Sequence, residues 1–296
     1  MEIRVLRYFL TVAREGSVTG AANFLHVSQP TLSKQIKELE EQLGTRLLVR
    51  HSHSVTLTPE GMRLRKRAEE ILEMVDKTEA EFSMVEDAIG GEVHIGGGET
   101  QAMRLIAEII EGMRKDYPGI RYQIHSGNAV DVTERLDKGL LDFGVLIQPD
   151  NLRKYEYLDL PEKDAWGILM RIDSPLAKKK VITREDLLDV PLIGSRLTAQ
   201  RGTRKNTLAD WFGKDFDKLN VVVRYNLIFN AMLLVEQGIG YALALDGLTK
   251  VKGSSNLCFR LLEPRLESSL NLVWKKYQIF SPAAQIFLQR AQKKFS

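Results

Sequence analysis

Leu6, Phe9, Leu10 and Ala13 recur at helical spacing and predict a first amphipathic helix that ends near Gly16. Ser17 suits the cap of a second helix through Ala21, Ala22 and Leu25, with two alanines small enough to let another helix cross closely. After His26 and Val27, Ser28 is a good N-cap and Pro30 sits in a first helical turn, where its missing N–H costs nothing. In the third helix Leu32, Ile36, Leu39 and Leu43, spaced 4, 3, 4, are expected to face the core. Gln29, Thr31, Ser33, Lys34 and Lys37 are then left toward solvent, and Gly44 ends the helix.

Residues 46–58 alternate in two short β-prone runs around a polar tip of Arg50, His51, Ser52 and His53, the pattern of a two-stranded wing. Thr58, Pro59 and Glu60 open a long helix. Within it Leu64, Ala68, Ile71, Val75, Thr78, Phe82, Val85 and Ile89 alternate at spacings of 4 and 3, the a/d pattern of a coiled seam, which predicts dimerisation. Gly90-Gly91 breaks this helix, and strands then alternate with helices.

The first of these units is EVHIGG, a turn at Gly96, Gly97 and Gly98, and a helix through Met103, Ile106, Ile109, Ile110 and Met113 capped by Thr100 or Glu99. Strands follow at IRYQIHSGN, DFGVLI, WGILM, PLIG and NVVVRY, with helices near 203–213, 228–237 and 282–295. Such alternation predicts a mostly parallel sheet covered by helices, and about 205 residues suit two α/β lobes better than one.

Charge sharpens this picture by its order rather than its sum. The chain of 296 residues carries 42 basic and 39 acidic side chains, a net +3 that identifies no partner. Residues 1–67 hold 11 basic against 6 acidic residues, whereas 68–89 hold 1 against 8. The basic end is expected near DNA and the acidic end away from phosphates. A single cysteine, Cys258, excludes an internal disulfide, and no run of about 18 uncharged apolar residues occurs. The reading is a soluble protein of a reducing cytosol, with no membrane partner and no cofactor.

Two short helices joined by a tight turn, the second exposing amides, hydroxyls and lysines, have the geometry of a helix-turn-helix reader of double-stranded DNA. Gln29 suits a bidentate pair with adenine; Ser28, Thr31 and Ser33 suit bases or phosphates; Lys34 and Lys37 suit phosphates. Arg50 is expected on the backbone or minor groove, beside His51 and His53. His51 and His53 lack a third ligand nearby, so no metal site is expected. GGGET at residues 96–100 lacks the spacing of a dinucleotide fingerprint or a P-loop, and neither a nucleophile elbow nor a His-Glu metal motif occurs, so no enzyme is indicated.

The run AANFLHVSQPTLSKQIKELEEQLGTRLLVR followed by LTPEG resembles the N-terminal domain of LysR-type transcriptional regulators over about the first 65 residues. By that resemblance Gln29, Pro30, Thr31, Ser33 and Lys34 lie at the DNA surface. PGIRYQIHSGN, RLDKGLLDFGVLI and LVEQGIGYALAL extend the likeness to LysR-type effector domains, which resemble type 2 periplasmic binding proteins with two lobes and a cleft. Leu245 stands where the family often has proline.

The implied fold class is α/β with an all-α, winged N-terminus: a winged helix-turn-helix (1–58), a linker or dimerisation helix (59–89), and an effector-binding domain (90–296) of two Rossmann-like lobes. Lobe one takes 90–160 and 267–296, and lobe two 161–266. The family further implies a homodimer, commonly a dimer of dimers, and a small-molecule effector. Around the cleft the expected residues are Glu99, Thr100, Gln101, Ser126, Asn128 and Gln148 from one lobe, and Ser195, Arg196, Thr203 and Asn226 from the other. Each also suits a capping or turn role. Together they suit a small carboxylate or similar anion with Arg196 as charge partner, while Glu99 argues for a ligand that also carries an amine or hydroxyl. A cytosolic solute-binding protein and a ligand-independent DNA-binding protein are the competing readings.

Overall fold

Phe9 fixes the centre of the N-terminal fold: it is fully buried among Val5, Val12, Ala21, Ala22, Leu32, Ile36 and Leu39. These residues come from α1 (Ile3–Glu15), α2 (Val18–Phe24) and α3 (Gln29–Leu43). Ser17 and Ser28 cap α2 and α3 by accepting from the N–H groups of Gly20 and Thr31. Leu43, expected in the core, is 43% exposed, because the core ends one turn earlier at Leu39. In the computed structural model the described residues are 1–51, 54–82, 90–149, 152–195, 207–248 and 256–295, and the chain divides into two units, Met1–Ser83 and Met84–Ser296.

Strands β1 (Leu48–Arg50) and β2 (Val55–Leu57) pair antiparallel as the wing, and α4 (Pro59–Phe82) follows. Thr58 starts α4 by accepting from the Gly61 N–H at 2.9 Å and donating to the Arg46 carbonyl at 2.8 Å. A Cβ on Gly61 would stand 2.1 Å from the Leu47 carbonyl oxygen, so only glycine lets α4 lie this close to the wing.

Among the described residues the second unit holds one nine-stranded mixed sheet, ordered β4-β3-β5-β11-β6-β9-β7-β8 with β10 also on β6. Its strands are β3 (Gly91–Gly97), β4 (Ile120–Ser126), β5 (Phe143–Ile147), β6 (Tyr155–Arg171), β7 (Leu192–Ser195), β8 (Val221–Tyr225), β9 (Tyr241–Leu245), β10 (Leu257–Leu261) and β11 (Glu267–Lys275). The helices are α5 (Met103–Asp116), α6 (Ala129–Asp137), α7 (Thr207–Phe212), α8 (Ile228–Glu236) and α9 (Pro282–Phe295).

Separate cores mark the two lobes. One gathers Ile106, Phe143, Leu272 and Phe287; the other gathers Ile168, Leu192, Phe212 and Leu243. The sheet is less parallel than the alternation of elements predicts. Among the named strands, parallel pairing is confined to β4-β3-β5 in one lobe and β8-β7-β9 in the other. Between them β6 and β11 run antiparallel, and β6 also pairs antiparallel with β9 and β10. The reason is topological: β6 carries the chain from one lobe into the other and β11 carries it back, so the two directions must oppose. Leu245 closes β9 opposite Trp166.

Gly96 and Gly97, read as part of a turn, lie inside β3 and are buried. A Cβ on Gly96 would meet Leu141 at 2.5 Å, so glycine here serves strand packing, and the chain bends only after the strand, at Glu99.

Candidate functional site

In the first unit, the turn between α2 and α3 passes through His26 in the left-handed region (φ 54°), and the Val27 N–H returns to the Ala22 carbonyl at 3.0 Å. This turn sets α3 across α2 and leaves Ser28, Gln29, Pro30, Thr31, Lys34 and Lys37 exposed, with Ser33 half-buried. The Ser28 and Thr31 hydroxyls lie 2.7 Å apart, which preorganises the start of the helix. Lys34 and Lys37 point outward and face Glu38 and Glu41 at 3.8 and 3.4 Å, exposed pairs that hold the lysines weakly.

The wing is tied to α3 from two sides. Arg50 donates to the Ser33 hydroxyl at 3.1 Å. Glu40 accepts from the Leu47 and Leu48 N–H groups at 2.7 and 3.1 Å, anchoring the start of β1. Sequence reasoning missed Glu40, since a glutamate in the run KELEEQ carries no local sign that it turns toward the wing. His51 pairs with the Thr56 hydroxyl at 3.2 Å across the wing, and His53 lies outside the described residues.

Along α4 the expected seam divides. Ala68 is fully buried and packs with Leu6 and Leu72, while Leu64 and Leu10 lie against the same cluster. This corrects the expectation for Ala68, which α1 of its own chain already covers. Ile71 and Thr78 are exposed and Val75 is half-buried. The side chain of Phe82 and all of Val85 lie outside the described residues. Arg7 of α1 pairs with Asp76 of α4 at 2.7 Å, and Arg65 and Arg67 reach Glu69 and Glu70 of their own helix.

In the second unit, the loop after β3 bridges the lobes. Glu99 does not cap α5, as the sequence suggests; its carboxylate accepts from the Ile228 N–H at the start of α8, on the opposite lobe. Gln101 donates to the Gly247 carbonyl, also on that lobe, at 2.6 Å, and accepts from Arg104 at 2.6 Å. Thr100 is buried and accepts from the Ala102 N–H at 3.1 Å. The Thr100 hydroxyl and the Gln101 N–H also bond the carboxyl of Asp164, which burial pushes above its ordinary value. Asp164 opens a run of seven buried residues in β6 that ends at Met170, an acid at the head of an apolar strand that sequence reasoning passed over.

The other expected cleft residues are less closely drawn together. Asn128 caps α6 in a reciprocal box with Asp131, so its side chain is committed locally. Gln148, at φ 44°, accepts from Ser268 at 3.0 Å, and Ser268 in turn accepts from the Trp166 ring N–H at 2.9 Å. Ser126 and Asn226 are exposed at strand ends, and Ser195 ends β7 opposite Tyr225. Arg196 and Thr203 lie outside the described residues. Burial, with the Glu99 charge adding to it, raises the pKa of the Tyr225 hydroxyl, which donates to the Leu243 carbonyl. His94 and His125 sit on neighbouring strands two register positions apart, since His125 faces Gly96.

A winged helix-turn-helix preceding a two-lobed α/β unit defines a DNA-binding regulator with a substrate-binding domain. Comparison with known proteins gives the same architecture. Residues 3–62 match the model of the bacterial regulatory helix-turn-helix protein, lysR family, and residues 86–296 match the LysR substrate binding domain. The chain is 29% identical to the Hca operon transcriptional activator HcaR of Escherichia coli, covering 100% of this chain and 99% of that protein. It is 30% identical to the HTH-type regulator YnfL of the same organism over 97% of this chain and 96% of that one. Among solved structures, full-length CbnR in complex with its target DNA aligns at a TM-score of 0.75 with 19% identity, covering 99% of each chain, a likeness of fold. The chain belongs to the LysR family of transcriptional regulators. Among the described residues no helix is long and apolar enough to cross a membrane.

Proposed function

We propose that this regulator reads its operator with the N-terminal half of α3 and the wing, and that a small molecule held between the lobes of the second unit controls the outcome. The observation that carries the first part is the exposed face of Ser28, Gln29, Pro30, Thr31, Lys34 and Lys37, with half-buried Ser33 tied to the wing by Arg50. Gln29 at the helix start is the base reader; Lys34, Lys37 and Arg50 neutralise phosphates, with His51 and His53 at the wing tip. A duplex presents the major groove to such a helix and its backbone to the wing.

The second part rests on the loop 98–101, whose Glu99 and Gln101 bond the opposite lobe. A ligand that changes either bond shifts the balance between two lobe arrangements, in proportion to its differential affinity for them. Paired readers then change spacing or angle, and with them the bend imposed on DNA. Ile71, Val75 and Thr78 supply the exposed face through which two chains associate, and two such dimers make the tetramer. The reading is tested by titrating a labelled operator, obtained by selection from genomic fragments, with the protein and with Gln29→Ala. The substitution is expected to weaken the selected site about tenfold or more and leave random duplex unaffected. Equal loss on both would place Gln29 off the bases.

A further inference from the structure

Asp164 is 4% exposed, and its Oδ2 atom is buried without a hydrogen-bond partner among the described residues. The Thr100 hydroxyl and the Gln101 N–H serve the same carboxyl, so this group is anchored to the loop that bridges the lobes yet left short of a donor. Glu99 stands next to Thr100 in that loop, and the charges of Glu162 and Asp246 also bear on Asp164. Among the described residues Arg104 is committed to the Gln101 amide. A buried carboxylate without a full set of donors is a costly arrangement, and in a medium of low dielectric a cation beside it gains more than it would in water.

Among the described residues, the two helix starts that would recognise an anion, those of α8 and α6, are meanwhile occupied from within. Glu99 takes the first N–H of α8, so the chain's own carboxylate stands at that helix start. The α6 start is closed by Asn128 and Asp131, whose oxygens accept the N–H groups of Val130, Asp131 and Asn128. An incoming carboxylate would have to displace Glu99 and then lie beside Asp164.

Resting on the reading of this cleft as the effector site, we infer that the effector presents a cationic ammonium or guanidinium group to Glu99 and the Asp164 carboxyl, and that a ligand offering only a carboxylate is rejected. The cation supplies a counter-charge and the donor that Asp164 Oδ2 lacks among the described residues. By competing for Glu99 it also loosens the bond to Ile228, which couples occupancy to the relation between the lobes.

The test uses the full chain, with benzylamine, butylamine and agmatine as cationic probes and benzoate and butyrate as anionic ones, followed by thermal melting and calorimetric titration. The cationic probes are expected to raise the melting temperature saturably, and Asp164→Asn and Glu99→Gln each to weaken them about tenfold or more. Both variants report their own folding through the melt. Stabilisation by the carboxylates instead, lost in Glu99→Gln, would overturn the cationic class and leave the cleft reading standing. Amines that bind wild type and both variants equally would place the site elsewhere and overturn the cleft reading with it. No shift with any probe would overturn the inference.

Discussion

The Glu99 carboxylate in the loop after β3 accepts a hydrogen bond from the backbone N–H of Ile228, the first residue of α8, 129 positions further along the chain. One lobe thereby caps a helix of the other, and α8 has no side-chain cap of its own. A carboxylate at a helix start is favoured both by the free N–H and by the helix dipole. Glu99→Ala should therefore free the α8 start, raising amide hydrogen exchange at Ile228 about tenfold while α5 is unaffected. Unchanged protection at Ile228 would mean that the bond contributes nothing to holding the lobes.

Asp164 carries a sign that pH can read. Burial raises its pKa in the folded chain above the unfolded value, so the folded state holds the proton more readily. Its contribution is then neutral below the unfolded value of about 3.9 and grows destabilising as pH rises through the raised folded value. Asp164→Asn should stabilise the unliganded protein near neutral pH by about 1 kcal/mol, with the advantage vanishing in acid. Urea denaturation at several pH values measures this, and a variant less stable at neutral pH would show the charge to be satisfied.

Lys34 and Lys37 differ from Arg50 in being held only by exposed pairs. Lys34→Ala should weaken DNA binding and reduce the slope of log affinity against log salt by about one unit per subunit. Anisotropy titrations across a salt series decide it; an unaltered slope places Lys34 away from the phosphates.

Two substitutions on α4 separate folding from assembly. If α4 forms the proposed seam, Ile71→Lys with Val75→Lys should reduce the sedimenting species to a monomer while leaving the melt of the first unit nearly unchanged. Ala68→Leu should instead destabilise that unit by about 1–3 kcal/mol, because a larger side chain has no room against Leu6. Doubly substituted protein that sediments like wild type would refute the seam.

The helices, the wing and the strands β3, β4, β5, β7 and β8 were legible because their signals are local, whereas β9, β10 and β11 and the order of strands in the sheet were not. Ser17, Ser28 and Thr58 cap at the positions where their hydroxyls predict it. Heptad spacing cannot distinguish a partner helix from α1 of the same chain, and so Ala68 was misplaced. Leu43 keeps the helical spacing but has no opposing element to cover it. In the cleft the decisive contacts join residues separated by more than a hundred positions: Glu99 with Ile228, and Gln101 with Gly247. Local propensity assigned Glu99 to the nearest helix, α5, whereas the crossing of β6 and β11 brings α8 to it. Asp164 left a faint trace as an acid at the head of an apolar strand.

Control of DNA geometry by a ligand in the second unit is the central claim, and DNase footprinting of the full chain on its selected operator tests it most directly. The footprints compare free protein with protein saturated by a compound that raises its melting temperature and loses that effect in Asp164→Asn. The account predicts that the protected length or the hypersensitive bands shift on addition of the compound, with the bases under α3 protected in both states. Identical footprints and identical bend angles with and without it would contradict the account.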